Sequence, residues 1–469
     1  MDKIQIEQLV NAQREFFRSG QTLDISWRIA QLKALRAAVL ANEEKLKEAL
    51  YLDLGKSATE AYLCDIGATV MEINEIIRGL RRWARPETHL SGVMCFPSMV
   101  TKVYKMPYGN CLIISPFNFP VLLTLGVLAA AMGGGNTAVL KVSSKTPNCS
   151  RALRELIAET FPENYITVVE GGHDVADLCL AARFDKIFYT GSPRVGSHVM
   201  HMAADHLTPV ALELGGENGN WAIVRKDADL RDAARKIAFF KACNSGQICI
   251  NVNQVAVAQE VCAEFIEELK REFTRQLGEE PVNNPEYPRL ITDAAYRKCA
   301  ESAEKYRDRI VFGGNGDPES RKFAPTILCP IGIDEEIVTR ELFNPLLPVV
   351  PFPDAQIDRV LDTVASREHP LALYLFTSDR KWATRVMSTM QYGGGCVNEV
   401  CIHMMVKGVP FNGTGHSGMG AYHGMWGFRE FTHPSAVLFG KTKMNLPLRE
   451  HPYSGKGKWK EKIVKLAEK

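Results

Sequence analysis

Four short apolar runs, at 110–115 (NCLIIS), 137–142 (TAVLKV), 166–170 (ITVVE) and 186–190 (KIFYT), are each followed by a stretch long enough for a helix. Strands that read as near-continuous Val, Ile and Leu and that alternate with helices build a parallel sheet covered on both faces. The fold class is therefore α/β, with a doubly wound, Rossmann-type sheet. Loops leaving the carboxyl ends of such strands are where nucleotides bind, so the residues just after each run are the first candidates for function.

A second β/α region runs from 211 to 397, with AIV at 222–224, QVAVA at 254–258, a helix over 262–277 and LALYLF at 371–376. It predicts a second doubly wound domain. Upstream, apolar residues recur at helical spacing over 23–54 (Ile25, Ile29, Leu32, Leu35, Val39) and over 60–84 (Ile66, Val70, Ile73, Ile77, Leu80) until Pro86 stops the pattern. From 86 to 105 the pattern turns short and β-like, punctuated by Gly92 and Pro97, as suits a hairpin arm at an interface. The stretch 117–140 is apolar enough to suggest a membrane span. Asn118, Pro120, the Gly133-Gly134-Gly135 run and Asn136 argue instead for a buried helix between two strands.

The chain of 469 residues has 56 Lys plus Arg against 54 Asp plus Glu, a net charge of +2. That field is too weak to select nucleic acid or an anionic membrane, which leaves a small molecule as partner. Its 12 cysteines contain no Cys-x-x-Cys pair, so neither a disulfide framework nor a zinc site is expected. The start Met1-Asp2-Lys3-Ile4-Gln5 has no apolar leader, which predicts reduced thiols in the cytoplasm. The basic end, WKEKIVKLAEK, reads as a solvated terminal helix.

One of those thiols is a candidate nucleophile. A predicted helix runs into Cys243-Asn244-Ser245-Gly246-Gln247-Ile248-Cys249, where Cys243 falls at the helix end and Cys249 follows a Gly-Gln turn that exposes it. Both stay open on this pattern alone. Glu213-Leu214-Gly215-Gly216 sets a carboxylate before two glycines that allow close backbone approach, and Ser115-Pro116-Phe117-Asn118-Phe119-Pro120 holds a side-chain amide in a loop stiffened by two prolines.

Together these segments resemble the aldehyde dehydrogenase superfamily, over most of the chain from DLGK and EAYLCDIG to PFNGTGHSGMGAYHG. NSGQIC is similar to its nucleophile motif, ELGG to its general-base motif, SPFNFP to its oxyanion motif and FYTGSPRVG to its pyrophosphate turn. RFDKIFYTGS and the Gly-rich tail look most like the class 3 branch, which acts on fatty or aromatic aldehydes and implies a homodimer. The resemblance implies NAD(P)-dependent oxidation of an aldehyde to an acid, with Cys249 as nucleophile, Asn118 as oxyanion donor and Glu213 as the base for thioester hydrolysis. It further implies a nucleotide-binding domain over 1–210 interrupted by the arm at about 86–105, a catalytic domain over 211–397, and a wrapping or oligomerisation segment over 398–469. Alternatives on the same fold are an acyl-CoA-forming or reductive enzyme, which Glu213 disfavours, and a cofactor-free Cys hydrolase or structural protein.

The same resemblance assigns cofactor contacts to Ser115, Lys141, Gly191, Ser192, Gly196, Glu341 and Phe343. Backbone N–H groups at the helix after Gly191 are expected to meet the pyrophosphate. Ser144, followed by Lys145, stands where NAD-preferring relatives often carry a glutamate, so NADP use is expected. Asn344 and Asn412 stand where the family usually has glycine and are expected to serve if those positions need positive φ; Glu217 replaces a commoner lysine. His198, His201 and His206 lack acidic or cysteine partners at ligand spacing, so no metal is expected. The run Tyr392-Gly393-Gly394-Gly395-Cys396 lacks the Lys-Ser/Thr of a P-loop and reads as a tight strand connection.

Overall fold

A computed structural model describes residues 1–92, 95, 98–444, 451 and 457–467. All four predicted runs are strands of one six-stranded sheet. Its order is Gly418–Met419, Val210–Leu214, Lys186–Gly191, Asn110–Ile114, Thr137–Lys141, Ile166–Val169, and every pairing is parallel except that of the outermost Gly418–Met419. The chain starts this sheet in the middle, at Asn110–Ile114. Its next two strands lie to one side and the following two to the other, so a crevice opens at the carboxyl ends where the order reverses.

The second sheet has seven strands, in the order Ile310–Phe312, Thr326–Leu328, Leu346–Phe352, Val252–Ala258, Asn220–Val224, Ala372–Phe376, Gly394–Val397. Only its first pairing is antiparallel. The break between the sheets falls between Leu214 and Asn220, not at 211. Val210–Leu214 continues the first ladder, with Thr190 opposite Glu213 and Gly191 opposite Leu214. Glu213 is thus carried by the first sheet, and the tail returns to flank it, with Gly418 opposite Glu213.

The arm also differs from a plain hairpin. Glu87–Leu90 pairs with Val100–Pro107, which pairs in turn with Thr432–Phe439 from the tail. Gly92 is described, whereas Pro97 lies outside the described residues. The region expected to be one helix over 23–54 is two, Ile25–Ala41 and Glu43–Leu54, because the Asn42 amide donates to the Ala38 carbonyl at 2.9 Å and ends the first. An unforeseen helix, Lys3–Arg18, is set by a capping box between Asp2 and Gln5 and buries Ile6, Leu9 and Val10. The apolar stretch 117–140 contains the helix Val127–Gly134, fully buried between two strands. Among the described residues no helix is long and apolar enough to cross a membrane. The terminal helix is Gly457–Ala467.

Candidate active site

A cavity of about 630 Å³ occupies the crevice, and of the candidate catalytic and cofactor residues from the sequence all but Cys243 and Gly196 line it. It joins the ends of strands 110–114, 137–141, 186–191 and 210–214 to the thiol of Cys249.

The thiol owes its position to a strained turn. The helix Leu230–Ala242 stops at Cys243, and Asn244, Ser245 and Gly246 follow with φ of 48°, 53° and 76°. Two successive non-glycine residues at positive φ cost about 1–2 kcal/mol each, so surrounding bonds must hold them. The Asn244 amide donates to the Asn118 and Gln247 carbonyls, both at 3.0 Å. Gln247 donates to the Asn244 and Arg289 carbonyls and accepts from the Ile291 N–H at 3.0 Å. The Asn244 N–H donates to Glu60 at 2.7 Å, and Ser245 Oγ to the Pro288 carbonyl at 3.0 Å. Only glycine fits at 246, since a Cβ there would stand 2.3 Å from the Asn344 carbonyl oxygen. Downstream, Asn220 donates to the Cys249 carbonyl at 2.7 Å. Cys243 is buried outside the cavity, whereas Cys249 is partly exposed within it. Burial first, then the Glu341 and Glu213 carboxylates, push the Cys249 thiol up to about 12.

Asn118 is buried, and its Nδ2 donates to the Gln247 carbonyl at 3.2 Å. Its own carbonyl accepts from Lys56 Nζ at 2.8 Å, and Lys56 is paired with Asp65 at 2.7 Å with both side chains fully buried. Asp65 Oδ1 accepts from the Val121 and Leu122 N–H groups at 3.2 and 3.3 Å, while Lys56 Nζ lies 4.0 Å from the Phe119 ring centre. This ion pair fixes the whole 118–122 turn. Sequence reasoning missed it. DLGK and EAYLCDIG, which contain Lys56 and Asp65, entered only as marks of the resemblance, and nothing local in the sequence joins the two residues.

Two carboxyls meet the cavity without partners. Glu213 is buried, its Oε2 has no hydrogen bond, and burial, then Glu430, raise it well above the usual carboxylate range. Glu341 also has an unpartnered Oε1, and burial raises it to about 8. It lies so close over Gly215 that a Cβ there would be 2.3 Å from Oε1. Beyond it, Phe343 meets Phe117 edge-to-face at 5.8 Å. The condition set for the two asparagines does not arise: neither Asn344 nor Asn412 has positive φ, whereas Phe343 does, at 53°. Asn344 Oδ1 accepts from the Leu346 N–H at 3.0 Å and so starts the next strand, while Asn412 sits in the strand Phe411–Asn412. Glu217 is exposed and pairs with His416 at 3.3 Å.

At the other end of the cavity, Ser192 caps the helix Pro193–Ala204, with Oγ accepting from the Val195 N–H. Lys141 Nζ donates to the Val142 and Gly171 carbonyls at 2.8 and 2.7 Å, leaving one of its three N–H groups. Ser144 is exposed at the rim, and Lys145 Nζ lies 5.2 Å from the Phe117 ring centre. Gly196 serves packing: a Cβ there would press on Leu214 at 2.8 Å. Ser115 Oγ and Thr190 Oγ1 are buried, unpartnered and on the cavity wall. Buried polar atoms are nearly always satisfied, so these hydroxyls fit a polar ligand such as a dinucleotide. His198 bonds Asp177, His201 the Ser197 carbonyl and His206 the Ala181 carbonyl, each separately. Among the described residues no group of three or more His, Cys, Asp or Glu is placed to hold a metal. The 393–395 glycines lead into the strand Gly394–Val397.

The aldehyde dehydrogenase family profile matches residues 1–437. The 4,4'-diaponeurosporen-aldehyde dehydrogenase of Staphylococcus aureus is 37% identical over 456 residues, 97% of this chain and 98% of that protein. Aldehyde dehydrogenase family 3 member H1 of Arabidopsis thaliana is 34% identical over 449 residues, 95% and 92% of the two chains. The solved structure of Staphylococcus aureus AldH in its substrate-bound state matches with a TM-score of 0.93 at 36% identity, over 98% of this chain and 99% of that one. The chain belongs to the aldehyde dehydrogenase family, with class 3 members among its relatives.

Proposed function

We propose that this chain carries out its family's oxidation of an aldehyde to a carboxylic acid, using NAD or NADP, with Cys249 as nucleophile, Asn118 as oxyanion donor and Glu213 as general base. The observation that carries the reading is the single cavity holding Cys249, Asn118 and Glu213 at one end and the strand-to-helix turn 191–195 at the other. Glu213, whose Oε2 has no hydrogen bond among the described residues and which burial raises, is suited to take a proton from water in the later hydrolysis. The Cys249 thiol, raised to about 12 by burial, gives its proton to solvent in the open cavity before it attacks. Cys249 Sγ then bonds the aldehyde carbon, and the oxyanion is met by the Asn118 amide and the Cys249 N–H. When bound, the nicotinamide supplies the acceptor for the hydride leaving that carbon. The thioester left on Cys249 is hydrolysed by water that gives its proton to Glu213, breaking the C–S bond and releasing the acid. Glu341 and Phe343 are assigned to the nicotinamide ribose, Ser115, Lys141, Gly191 and Ser192 to the rest of the cofactor, and Gly196 to the helix packing behind it.

Ser144 and Lys145 leave no carboxylate at their rim position to repel a 2′-phosphate, which supports NADP use. Relatives named for 4,4'-diaponeurosporen-aldehyde and for coniferyl aldehyde support an aldehyde of medium or long chain or aromatic as substrate. Exposed Leu90, Val100, Val437, Leu438 and Phe439 on the arm's strands support a homodimer, and twelve free cysteines a reducing cytoplasm. The parting of the two sheets between Leu214 and Asn220 supports a nucleotide-binding and a catalytic domain that meet at 215–219 rather than at 210/211.

Absorbance of the reduced nicotinamide, followed with long-chain and aromatic aldehydes, both cofactors, and Cys249→Ser, tests the reading. Turnover by the wild type and none by the variant is expected. Equal turnover by Cys249→Ser overturns the nucleophile, and a preference for NAD of about tenfold or more in kcat/KM overturns the cofactor reading.

A further inference from the structure

The helix Pro193–Ala204 starts at the cavity wall, yet it has little to offer an anion. A helix start normally exposes four N–H groups without partners. Here the first position is Pro193, which has none. The Val195 N–H is taken by Ser192 Oγ at 3.5 Å, and the Gly196 N–H by the Ser192 carbonyl at 2.9 Å. The Gly196 bond is the first of the helix's own ladder, so of the start's N–H groups those of Ser192 and Arg194 remain, with the helix dipole worth about half a positive charge behind them. A dinucleotide brings a negative charge on each of two phosphates, which two neutral N–H groups and half a dipole charge do not balance.

The Arg194 side chain lies at the same place. It is exposed on the cavity wall, and among the described residues its guanidinium has no hydrogen bond or ion pair. Asp177, the nearby wall carboxylate in the adjoining helix His173–Ala181, is bonded to His198 at 2.8 Å. Thr190 Oγ1, 8% exposed as a residue and unpartnered, adds a hydroxyl just before the turn. We propose that Arg194 is the chief ligand of the cofactor diphosphate, replacing the N–H donors that Pro193 and the Ser192 cap remove. Its planar fork suits two phosphate oxygens, and its charge is independent of pH in the working range. The diphosphate is common to both cofactors, so Arg194 raises affinity for each alike, whereas Lys145 at the rim acts on the 2′-phosphate alone.

This rests on the reading of the cavity as a dinucleotide site, and the test separates the two. Dissociation constants of NADH and NADPH are measured by fluorescence titration at low and high salt, with adenosine and ADP as competitors. Arg194→Gln is expected to weaken both dinucleotides by the same factor, about tenfold or more, and to flatten the salt dependence. ADP should lose potency and adenosine keep it, and Arg194→Lys should recover part of the loss. Unchanged binding, or a loss confined to NADPH, overturns the assignment. Failure of the wild type to bind either dinucleotide overturns the cavity reading and the assignment with it.

Discussion

Replacing Lys56 by Met removes the ammonium that joins the catalytic turn to the helices beneath it. Lys56 and Asp65 are fully buried 2.7 Å apart, so the variant leaves a carboxylate in the core with only the Val121 and Leu122 N–H groups at 3.2 and 3.3 Å. Breaking a buried pair from one side costs about 3–5 kcal/mol, and at about 2–4 °C per kcal/mol for a unit of this size the melting temperature should fall by roughly 6–20 °C. The Asn118 carbonyl also loses its 2.8 Å donor, which frees the loop that carries the amide proposed to meet the oxyanion. Misplacing such a group by about 1 Å costs up to about a hundredfold in rate. Scanning calorimetry and steady-state kinetics on Lys56→Met and on Lys56→Met with Asp65→Asn check this. The double variant should recover at least half of the lost stability, because no uncompensated charge remains, while its kcat stays low. A Lys56→Met protein melting within about 2 °C of the wild type would refute the argument.

Two further outcomes follow from the carboxyls. Gly215→Ala sets a Cβ 2.3 Å from Glu341 Oε1, and because a flexible side-chain end can yield, melting should change little while kcat falls by about tenfold or more; unaltered kcat contradicts the contact. Glu341 has a folded pKa raised to about 8, above its ordinary value of 4.5, so the stability tied to its neutral form is fully present below pH 4.5 and is lost as pH rises through 8. Glu341→Gln escapes that loss, and its melting temperature relative to the wild type should climb between pH 5.5 and about 8.5; a constant gap refutes the burial effect.

Periodicity was sufficient for the parallel strands because each is buried on both faces and announces itself within five or six residues. It could not show that Thr432–Phe439 joins the arm more than 300 residues earlier, or that Gly418 pairs opposite Glu213, since pairing partners leave no local mark. The chemistry-bearing side chains Cys249, Glu213 and Asn118 were legible as motifs, and they share one cavity. Their supports were not. Lys56 looks like a surface lysine until Asp65 is folded against it, and positive φ falls at Phe343, which no residue preference suggests. The pyrophosphate turn was read as a donor-rich helix start, but Pro193 has no N–H and the Ser192 cap takes that of Val195, which halves its donors.

The account centres on an acyl group held by Cys249 and released with the help of Glu213. Glu213→Gln should form the thioester and stall, so intact-protein mass spectrometry after mixing the variant with an aldehyde and NADP should show one added acyl group, mapping to the peptide that contains Cys249. No added mass, with the aldehyde still oxidised at the wild-type rate, or an acyl group on any of the other cysteines, would contradict it.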